Sequence, residues 1–183
     1  MQRVSFKDMN CSIAQTLELV GEWWSLLIIR DALIGISRFD EFQERLGISR
    51  NVLNDRLSRL VAEDVLVKVP YQEHPPRYDY RLTEKGRDLW QVLNAMREWG
   101  DRWAAPGGAP TDLVHRPCGE HITVVPHCSA CGEVVHQRDL RLVPGAGADP
   151  DSILLRRRHH EHRAPATAGA TSTTTTTTSS DQP

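Results

Sequence analysis

The stretch from Arg38 to Leu60, RFDEFQERLGISRNVLNDRLSRL, constrains the fold more than any other part of the chain. Phe39, Phe42 and Leu46 fall on one side of a short helix, and Gly47 ends it, because glycine takes the left-handed backbone of a helix C-terminus without a Cβ clash. Ile48 bridges the turn. Ser49 suits the N-cap of the next helix, its hydroxyl placed to accept from an otherwise unpaired backbone N–H. At about 100° per residue, Leu53, Leu57, Leu60 and Val61 gather on one side of that second helix, while Asn51, Asp55 and Ser58 lie opposite with Asn54 and Arg59 flanking. A helix, a tight turn with glycine and a second helix make a helix-turn-helix.

From Arg45 to Leu60 the polar residues are biased in sign. Arg45, Arg50, Arg56 and Arg59 stand against one acid, Asp55, and Ser49, Asn51, Asn54 and Ser58 fill the rest. Amide and guanidinium groups match the donor and acceptor pattern of adenine and guanine edges, each good bidentate contact being worth roughly 1–3 kcal/mol of discrimination. An ordinary solvated face explains such a helix equally well by itself, and the following segment shifts the balance toward DNA. In VLVKVPYQEHPPRYDYRLTEKG, Val65, Val67 and Val69 alternate with Leu66 and Lys68, and Tyr78, Tyr80 and Leu82 alternate with Asp79 and Arg81. Two short strands around a Pro-rich turn form a β-hairpin wing whose tip carries His74 and Arg77. The expected double-stranded DNA-binding set is therefore Ser49, Arg50, Asn51, Asn54, Asp55, Ser58 and Arg59 on the helix, with His74 and Arg77 on the wing.

Upstream, CSIAQTLELVGEWWSLLIIRDAL reads as two helices broken near Gly21, with Leu17, Val20, Trp24, Leu27 and Ile28 facing a common core. Downstream, Thr83 caps a long helix in which Leu89, Val92, Leu93, Met96, Trp99 and Trp103 form a continuous apolar stripe. The stripe outruns a small winged core. A second copy of the chain is its expected cover, since twofold protein symmetry suits a palindromic binding site. Formal net charge is −2 over 183 residues, so a global basic field is excluded and nucleic-acid binding must rest on a local patch.

The N-terminal sequence lacks the apolar core of a signal peptide, and the longest apolar run, around WWSLLII, is too short to span a bilayer. A cytoplasmic protein without membrane contact is expected. Its four cysteines then stay reduced, which favours metal binding or redox sensing over disulfides. His115-x2-Cys118 and Cys128-x2-Cys131, each followed by glycine, supply three thiolates and one imidazole, a tetrahedral set for Zn²⁺. His127 or His121 are alternatives to His115 as the nitrogen ligand, and ITVV between the pairs reads as one strand of a minimal ribbon. Four good ligands close the coordination shell, which makes the metal structural. No phosphate-cradling glycine loop and no serine nucleophile elbow is present, so an enzyme is not expected.

The chain divides into a winged helix-turn-helix and dimerisation domain over 1–104, a linker over 105–111 containing APGGAP, a zinc-ribbon-like segment over 112–143, and a disordered low-complexity tail over 144–183. The fold class is mainly α with a small β-hairpin wing. The tail includes the basic, His-rich run Arg156 to Arg163, expected to be solvated.

From Cys11 to about Trp103 the chain resembles the HxlR-type branch of the winged helix-turn-helix transcription regulators, related to the MarR group. The resemblance is carried by a cysteine at the start of the first helix, by VGEWWSLLIIRDAL, SRFDEFQERLGISRNVLNDRLSRL and YQEHPPRYDYRLTEKG, and by the terminal EWGDRW. It implies a homodimer joined through its first and last helices, with paired recognition helices in successive major grooves. It also implies that Cys11 is a candidate sensor of oxidants or electrophiles, and that a small-molecule or oxidant effector acts on the protein. Two positions depart from the family pattern: Trp23 stands where a basic residue is usual, and Ser12 replaces the proline that commonly follows the first cysteine. The rival from another class is a protein-interaction module built on the winged helix and ribbon. Phosphate contacts would make affinity fall steeply with salt, whereas an apolar protein interface would respond weakly.

Overall fold

The computed structural model describes residues 5–149. Helices α1 (Ser12–Val20), α2 (Trp23–Leu33), α3 (Phe39–Leu46) and α4 (Arg50–Ala62) precede a hairpin of β1 (Leu66–Gln72) and β2 (Arg77–Leu82), and α5 (Glu84–Asp88) and α6 (Trp90–Trp103) follow it. The α3 to α4 turn forms as the residues dictate. Gly47 sits at φ 64°, and the Ser49 hydroxyl accepts from the Val52 N–H at 3.4 Å. Ile28, Ile29, Phe42, Leu53, Leu57 and Leu60 are all fully buried and, with Val65, Leu66 and Tyr80, form one core between the helices and the base of the wing. The buried Asp31 carboxylate pairs with Arg30 at 2.9 Å and with Arg45 at 3.3 Å, tying α2 to α3.

The wing is an antiparallel pair running from Leu66↔Leu82 to Gln72↔Arg77, with an irregularity between Pro70 and Gln72. The loop before α3 joins it: the Tyr80 N–H donates to the Ser37 carbonyl at 2.7 Å, and Arg38 bridges to Asp79. Thr83 caps α5, its hydroxyl accepting from Gly86 at 3.1 Å. Only glycine fits at 86, because a Cβ there would lie 2.2 Å from the Val65 carbonyl oxygen.

Two expectations about the helices change. The single long helix after Thr83 is two, because the backbone tightens at Leu89, whose N–H reaches the Gly86 carbonyl three residues back. Leu89 and Leu93 pack against the core, whereas Val92, Met96, Trp99 and Trp103 are exposed. Leu17 is also exposed rather than buried: Ala14, Glu18 and Val20 form the inward face of α1.

Beyond α6, β3 (Leu113–Val114) pairs with β4 (His121–Ile122), and His127 bridges to Val134 in a second small turn. Of ITVV, only Ile122 lies in a strand. No residue from 105 to 142 is fully buried. The segment is held to α6 by Glu98, whose Oε1 accepts from the Val124 N–H at 3.0 Å. No helix among the described residues is long and apolar enough to cross a membrane. Residues 143–149 carry one turn, Ala148 N–H to the Gly145 carbonyl. The rest of the expected tail, including Arg156 to Arg163, lies outside the described residues.

Candidate nucleic-acid interface

Helix α4 buries Leu53, Leu57 and Leu60 and exposes Asn51, Asn54, Asp55 and Ser58 on the opposite side. Asn51, Asn54 and Ser58 make no side-chain hydrogen bond among the described residues, so their donors and acceptors face solvent. Arg50 projects from the first turn. Its Nη1 lies 3.3 Å from Gln43 Oε1 and 3.5 Å from Asp40 Oδ1, and its guanidinium sits 4.8 Å from the centre of the Phe39 ring. Asp55 is paired with Arg56 at 2.6 Å.

The arginines of the second half of α4 turn the other way. Arg56 reaches Glu22 at 3.2 Å, and Arg59 donates to the Glu18 backbone carbonyl while its head lies 3.8 Å from the Glu18 carboxylate. Arg59 therefore holds α4 against α1 instead of projecting beside Asn51. The outward face narrows to Ser49, Arg50, Asn51, Asn54, Asp55 and Ser58.

At the wing, His74 and Arg77 are exposed at the tip as expected. Asp79 fixes the wing to the α3 loop, accepting from Ser37 Oγ at 3.2 Å and from Arg81 at 2.9 Å. The Arg81 hydrogen bond above all holds the Asp79 carboxyl below the usual carboxylate range, against the opposing effect of partial burial, with Ser37 and the nearby Arg38 adding to it. Burial, more than the neighbouring Tyr78, pushes the Tyr80 phenol up. Sequence reasoning missed Arg38, Tyr71 and Lys68. Arg38 stacks 4.9 Å from the Tyr71 ring centre, and Lys68 lies 3.9 Å from that of Tyr78. The strand alternation of β1 and β2 was the available signal for Lys68 and Tyr78, but nothing local announces that Arg38 meets Tyr71.

Cys11 occupies the N-cap position of α1, half-buried and with a free thiol. The Cys/His residues fold as two matched turns. Gly119 at φ 76° donates to the His115 carbonyl at 2.8 Å, and Gly132 at φ 77° donates to the Cys128 carbonyl at 2.9 Å. Glycine is required at both, since L side chains rarely adopt that backbone. His115 Nδ1 lies 3.2 Å from Cys118 Sγ. The backbone N–H groups of Cys131 and Ala130, with the Cys131 thiol, hold the Cys128 thiol below its ordinary range. His121 pairs with Asp112 at 3.2 Å, and His127 Nδ1 lies 2.9 Å from the Gly132 carbonyl oxygen. The expected four ligands are present as two pairs: Thr123 to Pro126 run between the turns without a bend, and among the described residues no three His, Cys, Asp or Glu side chains gather as a metal site. The donor chemistry fits zinc; the four-ligand cluster is not assembled.

The model of the HxlR-like helix-turn-helix family matches residues 19–107. An uncharacterised HTH-type transcriptional regulator of Mycobacterium tuberculosis is 43% identical over 137 residues, 74% of this chain and 87% of the relative. The chain belongs to the HxlR-like helix-turn-helix family. The crystal structure of PA1607, described as a candidate transcription factor, superposes with a TM-score of 0.69 at 38% identity, covering 78% of this chain and all of that one. A second candidate transcription factor, PA1374 from Pseudomonas aeruginosa, gives a TM-score of 0.58 at 41% identity, covering 78% of this chain and 97% of that one. As an HxlR-like protein the chain is a transcriptional regulator of the helix-turn-helix type and not an enzyme. Both similarities at this coverage extend past α6, so the likeness includes part of the Cys/His segment as well as the winged core.

Proposed function

We propose that this HxlR-like protein is a cytoplasmic, sequence-specific DNA-binding regulator acting as a homodimer, with α4 in the major groove and the wing beside it. One observation carries the reading. Asn51 and Ser58 stand unengaged on the face of α4 opposite its buried leucines, with Asn54 unengaged on its flank, the arrangement that offers amide and hydroxyl groups to base edges. The apolar side chains exposed on α6, including Met96, Trp99 and Trp103, are the surface a second copy would cover, together with Ile13 and Leu17 of α1.

The test is selection of bound fragments from random duplex DNA, followed by footprinting. Wild-type protein should enrich one palindromic sequence. Asn51→Ala, which leaves the leucine face untouched, should lose about 5- to 150-fold per half-site in preference for it over unrelated DNA, the range one good base contact supplies, while remaining a dimer by sedimentation. Unchanged preference would reject α4 as the reader. Cys11 is the thiol through which an oxidant effector would act, and the same assay after peroxide, on wild type and Cys11→Ser, reads that role.

Structural zinc in the Cys/His segment belongs to the same proposal. Three thiolates and one imidazole on two glycine-ended turns are suitable ligands, and in so small a segment metal binding and folding are one event. Zinc would draw His115, Cys118, Cys128 and Cys131 together.

A further inference from the structure

Between the first turn of α4 and the wing lies a cleft of about 310 Å³ walled by Arg38, Arg50, Arg77, Tyr71 and Tyr78, with Asp40 the one acid among its lining residues. Three arginines from three separate elements line it. Arg38 comes from the loop before α3, Arg50 from α4 and Arg77 from β2. Two of them are positioned by aromatic rings, Arg38 over Tyr71 and Arg50 over Phe39. Stacking covers a guanidinium plane and not its N–H edge, the edge that forks onto an anion's oxygens; on Arg50 that edge also lies 3.5 Å from Asp40 Oδ1 and 3.3 Å from Gln43 Oε1, contacts that a phosphate would replace. The loop carrying Arg38 is itself pinned, through the Tyr80 N–H to Ser37 and the Glu41 carboxylate accepting from the Arg38 N–H at 3.1 Å. A solvated surface arginine needs neither a ring beneath it nor an anchored loop.

We propose that this cleft is a phosphate clamp, in which Arg38, Arg50 and Arg77 grip the backbone of the bound duplex where the strand passes from α4 to the wing. The proposal rests on the DNA-binding reading above. Its occupant is a phosphodiester because the excess is cationic, three arginines against one carboxylate, and because the cleft opens beside the residues that would enter the groove. The clamp positions the protein and carries no sequence information. Arg38 is the member that distinguishes it, since it lies on neither the recognition helix nor the wing.

The test is the salt dependence of duplex binding. Arg38→Gln and Arg77→Gln should each lower the slope of log affinity against log salt by about two, one contact from each protomer of the dimer. Each should weaken binding to the selected sequence and to unrelated duplex alike, by about thirtyfold at 0.15 M salt, the contribution of one released counterion per protomer. Arg38→Lys, which keeps the charge, should restore the slope. Circular dichroism should show all three variants folded. A wild-type chain that binds no duplex overturns the DNA reading and the clamp together. A wild type that binds selectively while Arg38→Gln and Arg77→Gln keep its full slope overturns the clamp alone, as does a loss confined to the selected sequence.

Discussion

The winged core and the Cys/His segment are both built around glycine turns, yet they are stabilised by different means. In the core, six large apolar side chains of α2, α3 and α4 are fully buried, and their turns serve to bring those faces together. In the segment from 105 to 142 no side chain is buried. Its hairpins have two-residue strands, and its order rests on backbone hydrogen bonds such as Gly119 to His115 and Gly132 to Cys128. A net hydrogen bond contributes only about 1 kcal/mol, whereas one buried leucine contributes several times that. Burial therefore holds the core, while the segment depends on what it is attached to and what it binds.

The largest effect expected from that contrast follows truncation in the core. Leu57→Ala should cost about 2–5 kcal/mol, because a fully buried leucine leaves both lost contacts and a cavity. Against a total domain stability of about 5–15 kcal/mol, urea denaturation should show a marked fall in midpoint. Leu113→Ala in the half-buried hairpin should cost less than about 1 kcal/mol and shift that midpoint correspondingly little. Equal losses from the two substitutions would mean that the segment is part of the core's cooperative unit.

Metal is the intermediate case. Reduced, purified protein should carry about one zinc per chain, the number four ligands imply. Cys128→Ser should release it and make residues 112–143 sensitive to limited proteolysis, with the winged core still folded and binding DNA. The absence of stoichiometric zinc would remove the metal from the account, and global unfolding of Cys128→Ser would show that the two regions are not independent.

How much of this was legible beforehand depended on the distance over which each feature acts. Gly47, Ser49 and the Leu53, Leu57, Leu60 face could be read directly, because caps and helical periodicity are set within a few residues. The break at Leu89 was missed, since no helix-breaking residue stands at the junction. Arg59 shows the same limit more sharply. Its position on α4 is compatible with DNA, but its partner Glu18 lies 41 positions away, and no pattern within α4 encodes it. Arg38 over Tyr71 is another such pairing. Periodicity identifies which face a side chain leaves from, and tertiary packing decides what that side chain meets.

The smallest expected effect lies at the point where the two regions join. Glu98 of α6 accepts from the Val124 N–H at 3.0 Å and from Asn94 Nδ2 at 3.1 Å, so its carboxylate connects a helix of the core to the chain just after β4. A hydrogen bond to a charged acceptor is worth roughly 1.5–3 kcal/mol when desolvated, but this carboxylate is about one-third exposed, and solvent screening brings the expected contribution down toward the exposed-pair range of about 1 kcal/mol or less. Glu98→Ala should therefore leave the urea midpoint of the core almost unchanged. Its effect should appear locally, as faster hydrogen exchange of the Val124 amide and of the β3–β4 pairs Leu113–Ile122 and Val114–His121, because local opening needs only the attachment and not the core to give way. Faster exchange at Leu53 or Leu57 as well would show that strain at the attachment spreads into the core. Unchanged exchange at Val124 would show instead that the segment's order does not depend on the Glu98 hydrogen bond.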